Sequence, residues 1–413
     1  MDERPSFRQC GRCAAPPVLK VLSTYDEIAV LLHSGAGCSG SFADFQRAFH
    51  QGLRKRGLPL RNALLFSTDL REIDLVCGPE DKLRQALRWI WEHHHPRAIV
   101  VGASCGSSIT GSDIQPVLEE MQGEIPIPLS TIVCELYGKK RWGGGFDGER
   151  YPVFRDMVRP GTRQGEFYNI IDFSGGDDLQ RLLRRVPVQW NWITRFGTYA
   201  SLERMADARG TFRITADRLS NYLAEWLETR YGVPDHPLHA PCGVQATRAC
   251  LREIASAVGQ PYLFDAVLAE EDSRWQSSLE SLRGQLRDVR SYPWAMGLAT
   301  RKLALLMREL GMAPLGAIEE GDVWQERPRR PRRHGPAGPR RPHFRPRGPC
   351  DILQEIQSDP PDLVVMQAGP PSVSLQMPLL WLDDEQEFFA YDGLVRFGQK
   401  AAGLLSRSGR ILV

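Results

Sequence analysis

Residues 31–42 read LLHSGAGCSGSF, and the run that feeds them, residues 28–32, is IAVLL. Five apolar residues without a polar interruption fit a strand buried on both faces, as in a parallel sheet. The strand breaks into a glycine-rich turn around Cys38, where missing side chains let the backbone come close to whatever the thiol holds. Cys105 has the same setting, because AIVVGASCGSSITGSDI (98–114) is a second buried-strand pattern followed by a loop of small residues. Cys13 lies upstream in CGRCAAPPV (10–18). Three thiols at small-residue loops, two of them at strand ends, point to a cluster site more than to three packing residues.

The chain has 413 residues, 42% hydrophobic and 25% charged, enough for two or three domains each with its own core. No apolar run reaches the roughly 18 residues that span a bilayer. The charged start MDERPSFRQC is no signal peptide. Nine cysteines is an odd number at low density, which excludes a disulfide scaffold and fits a reducing, cytoplasmic setting with thiols free for metal. The net charge of +2 hides an asymmetry. Residues 327–349 hold nine arginines and no acid, leaving 43 basic against 50 acidic residues elsewhere.

In chain order the pattern alternates strand, turn and helix. A helix is expected over 43–55, a strand over 63–67, a polar loop turning into a helix that runs to residue 92, and a strand over 98–102. After the Cys105 loop come a helix from 113 to 121 and a strand over 127–133. A second series runs from Tyr168 to about Pro261, with a helix over 216–231 stopped by Gly232-Val233-Pro234. A third has a helix over 296–310, strands over 363–366 and 378–382, and a helix over 391–405. The expected fold is therefore α/β: three Rossmann-like domains of parallel sheet covered by helices, at 1–165, 166–290 and 291–413, with ligands at the carboxyl ends of strands.

The stretch RPRRPRRHGPAGPRRPHFRPRGP interrupts the third domain, as a disordered or surface insert over 326–349. Proline removes backbone donors and the arginines repel one another. A nucleic-acid arm would need aromatic rings to stack bases, and only Phe344 is present, so a solvated insertion is the stronger reading. Of the other cysteines, Cys77, Cys134, Cys242 and Cys250 read as structural. His93, His94 and His95 end an exposed helix before Pro96. No GxxxxGK[ST] phosphate loop is present.

Taken in order, LLHSGAGCSGSF, STDLREIDLVCGPEDKLRQAL (67–87), VVGASCGSSITGSDI (100–114), CELYGKKRWGGGFDG (134–148), NIIDFSGG (169–176), YLAEWLETRYGVP (222–234), PCGVQATRACLREIA (241–255) and FFAYDGLVRF (388–397) resemble component 1 subunits of the nitrogenase superfamily. The resemblance spans nearly the whole chain except the arginine insert. It implies an oxidoreductase of two related subunits (αβ or α2β2) with an iron–sulfur cluster, P-cluster [8Fe-7S]-like or [4Fe-4S], bridging them. Each subunit gives three cysteines, here Cys13, Cys38 and Cys105, with Cys10 competing for the first place. Thiolates are what such clusters need.

The resemblance also implies an ATP-dependent iron–sulfur reductase that delivers electrons, while the chain's own composition points to neither membrane nor nucleic acid as partner. Catalytic-type subunits add a cysteine before the helix that ends here in RYGVP, and a histidine near the carboxyl terminus, to hold the active-site cofactor. Here Ala216 or a neighbour stands at the first position (FRITADRLSNYL, 212–223), and WLDDEQEFFAYDG (381–393) has no histidine. The chain therefore resembles a β-type partner in a nitrogenase-like reductase, such as methylthio-alkane reductase. A cofactor-assembly scaffold, nitrogenase proper and a dark-operative tetrapyrrole reductase are the alternatives.

Overall fold

The computed structural model describes residues 15–103, 114–133, 153–161, 165–173, 177–214, 218–238, 240–295, 298–315, 318–319, 356–367, 377–382 and 389–408. Cys13, Cys105, Cys134, Ala216 and the arginine insert lie outside them. The chain divides into two compact units, Met1–Gly175 with Gln189–His236, and Gly176–Val188 with Pro237–Val413.

The first unit begins with α1 (Ala15–Leu22), β1 (Ile28–His33), α2 (Ala36–Ser39), α3 (Ser41–Lys55), β2 (Leu65–Ser67) and α4 (Glu72–Cys77). It continues with α5 (Glu80–His94), β3 (Ala98–Ala103), α6 (Gln115–Gln122), β4 (Leu129–Val133) and α7 (Val153–Met157). The strands pair in parallel in the order β2-β1-β3-β4. Every residue of β1 and β3 is buried, as their unbroken apolar runs require. On one face Ala29 and Leu31 join Leu83, Leu87 and Ile90 of α5 and Val117, Leu118 and Met121 of α6. On the other, Ile28, Val30 and Leu32 join Leu19 and Leu22 of α1 and Phe45 of α3. Each such fully buried aliphatic side chain contributes roughly 1.5–3 kcal/mol. A Cβ on Gly102 would lie 2.9 Å from Leu19 Cδ1 and 3.2 Å from Leu32 Cδ1. The glycine thus makes the seat on which α1 rests, close to the end of β3.

The second sheet is built from β5 (Phe167–Asp172), β6 (Gln189–Thr194), β7 (Thr211–Arg213) and β8 (Asp235–Pro237), with α8 (Asp177–Leu183), α9 (Tyr199–Glu203), a 3-10 turn at Met205–Asp207 and α10 (Arg218–Tyr231) between them. Its order is β6-β5-β7-β8, with β5 parallel to both β6 and β7. Two fully buried asparagines serve backbone groups there. Asn191 Nδ2 donates to Asn169 Oδ1 (2.9 Å) and Ser201 O (2.8 Å), and Asn169 Nδ2 donates to Met205 O (2.8 Å). Buried amides satisfied in this way cost little.

The second unit holds α11 (Gly243–Ala257), α12 (Asp265–Leu286), β9 (Arg290–Ala295), α13 (Leu298–Glu309), β10 (Ala313–Pro314), β11 (Ile318–Glu319), β12 (Leu363–Gln367), β13 (Leu379–Leu382) and α14 (Ala390–Arg407). Its parallel sheet runs β10-β9-β12-β13, with β11 also beside β9. Helix α8 belongs to this unit and is fastened by charge. Glu271 of α12, 1% exposed, accepts Arg181 Nη1 (2.8 Å) and Nη2 (2.6 Å), Arg185 Nη1 (3.0 Å) and Trp275 Nε1 (3.1 Å). Burial pulls the Glu271 carboxyl upward, but the Arg181 hydrogen bonds and charge outweigh it and leave the pKa below the ordinary value. Arg181 Nε also reaches Asp392 Oδ2 (2.7 Å) on α14. At the start of α11, Gly243 takes φ +84° and the Val244 N–H is held by both carboxylate oxygens of Glu309, at 2.9 and 3.0 Å.

Three parallel sheets flanked by helices bear out the α/β expectation. Two details differ. The helix expected to end at residue 92 is α5, and the polar loop expected ahead of it holds a short helix of its own, α4, parted from α5 by Gly78 at φ +100°. The 22-residue α12 lies where no element is expected, between the second and third series, because Trp275 is the one large apolar residue between Leu268 and Leu279.

Two substitutions test this packing. Glu271→Gln leaves two arginine cations short of a buried counter-charge and is expected to cost about 3–5 kcal/mol in urea unfolding. Gly102→Ala pushes a methyl into the leucine seat of α1, with an expected loss of about 1–3 kcal/mol in the same measurement.

Candidate functional site

From β1 the chain passes to β2 on one side, then returns to β3 on the other. The switch of direction therefore falls between β1 and β3, and ligands of open α/β sheets bind outside the carboxyl ends at such a switch. The two ends are level: His33, last in β1, is in register with Ala103, last in β3. Cys38 follows the first end by five residues and Cys105 follows the second by two. The same seat draws in the amino-terminal segment, because Leu19 of α1 rests on Gly102 and Cys13 precedes α1 by two residues. The described part thus brings the approaches to all three cysteines to one end of one sheet.

Cys38 lies in the short α2 and is exposed. Its loop is tied down at the base. The Ser34 N–H donates to Thr68 Oγ1 (3.2 Å), the Thr68 N–H to Leu32 O (3.1 Å) and the Leu70 N–H to Ser34 O (2.9 Å). A Cβ on Gly35 would stand 3.1 Å from Leu70 O, so a glycine suits this close approach. A Cβ on Gly37 would meet nothing within 4 Å, which leaves open space next to the thiol. Lys82 braces the neighbouring turn by donating to Asp69 O (2.8 Å) and Asp74 Oδ2 (2.7 Å), and the Lys82 bond holds the Asp74 carboxyl below its ordinary pKa. An exposed thiol over a fixed base with free space beside it suits a soft, thiolate-bound metal cluster. Among the described residues no group of three His, Cys, Asp or Glu side chains gathers into a metal site, since two of the three proposed ligands lie outside them.

Sequence reasoning passed over His33. It is fully buried, and burial lowers its pKa to about 4, with Lys82 acting in the same direction and Glu80 against it. Cys77, read from sequence as packing, is instead exposed at the end of α4 beside exposed Ile73 and Val76. Cys250 is fully buried, as a packing residue should be, and His93, His94 and His95 are exposed. In the stretch where the resemblance would put a cofactor histidine, Phe389 is fully buried before α14 with Lys302 Nζ 5.1 Å from its ring centroid.

The His33 shift gives a pH dependence of known sign. The unfolded imidazole titrates near 6.5 and the folded one near about 4, so the unfolded chain binds more protons between these values. Stability is fully present above pH 6.5 and falls as the pH drops towards 4, by up to about 3 kcal/mol. His33→Asn is expected to lack this component, read as the difference between its urea-unfolding free energies at pH 7.5 and 4.5 and those of the native chain.

Comparison with known proteins agrees with this geometry. The profile of the family described as Nitrogenase component 1 type Oxidoreductase matches residues 13–405. The nitrogenase molybdenum-iron protein alpha chain of Clostridium pasteurianum is 27% identical over 72% of this chain, which spans 57% of that protein's length. The nitrogenase iron-molybdenum cofactor biosynthesis protein NifE of Klebsiella pneumoniae is 25% identical over 96% of this chain and 90% of its own. A solved structure titled "Nitrogenase Cp1 at pH 6.5" superposes with a TM-score of 0.79 over 98% of this chain and 91% of its own, at 20% identity, a likeness of fold. The chain belongs to the nitrogenase component 1 type oxidoreductase family.

Proposed function

We propose that this chain is the β-type, electron-relaying subunit of a nitrogenase-like reductase and holds half of a bridging iron–sulfur cluster through Cys13, Cys38 and Cys105. The observation that carries the reading is an exposed Cys38 at the switch between two level strand ends, one of which leads to Cys105. The cluster, P-cluster-like or [4Fe-4S], would supply one-electron storage. The chain's own part is to present thiolates on a loop fixed by Ser34, Thr68 and Leu70, with space at Gly37 for the inorganic core. A related α-type subunit would complete the ligand set and hold the active-site cofactor. An ATP-dependent iron–sulfur reductase would deliver the electrons, in the cytoplasm.

A second reading, a cofactor-assembly scaffold, is favoured by one observation. The relatives named NifE match over 93–96% of this chain, whereas the two alpha chains match over 72% and 60%. On that reading the complex would carry a metal cluster as cargo and hand it on.

Anaerobic co-purification with the partner subunit, iron analysis and EPR test both. The native complex is expected to be brown, and Cys38→Ala or Cys105→Ala to lose the bridging-cluster signal. Iron unchanged in both variants would sink the cluster assignment. Reductant-dependent turnover with the reductase supports the relay. Absence of turnover, with transfer of a cluster to an apo component 1 protein, selects the scaffold.

A further inference from the structure

We draw no further inference here: the strongest candidate, the outward apolar face of the short helix α4 that carries exposed Ile73, Val76 and Cys77, is an unpartnered surface, and nothing in the structure shows what covers it.

Discussion

The parallel register of β1 on β3 is the constraint on which the rest of the site depends. Pairing of Ile28 with Ala98 through His33 with Ala103 fixes where both strands stop. A slip of one residue would turn Val30 and Leu32 away from α1, so burial on both faces enforces the register. Once the strands end level, the chain leaves the sheet towards Cys38 and towards Cys105 from neighbouring strand ends. The placement of the two loop starts follows from backbone pairing.

Much of this was legible in the sequence because the signals are local. IAVLL and AIVVGA carry no polar residue, and buried strands are what such runs become. Glycine after α10 and proline beyond it marked that helix end correctly, with Gly232 at φ +68°. Cys38 and Cys105 stood out as candidates because thiols in glycine loops at strand ends are a chemical pattern as well as a structural one.

What escaped the sequence depended on partners distant in the chain. Helix α12 has a weak apolar stripe, and its middle is stabilised through Glu271 by arginines some ninety residues earlier. No window of local sequence contains that pairing. His33 looked like the end of an apolar run, and only the sheet register shows that it lies at the meeting point of three connections. Cys77 was misjudged because a cysteine next to a valine resembles core, whereas the six-residue α4 buries none of its residues.

The carboxylate of Glu309 at the start of α11 has a broader consequence. An open helix amino terminus is the usual place for an α/β protein to receive phosphate, through free N–H groups and the positive end of the dipole. Here that place is taken by the chain's own acid, and the left-handed Gly243 leaves no Cβ to obstruct it, since one would fall 1.9 Å from Glu309 Oε2. Burial raises the carboxyl's pKa, and the Val244 N–H is the main influence acting against it. The positive pole of α11 is thus neutralised from within the fold. A nucleotide approaching this helix would meet a carboxylate in the place of a vacant cradle.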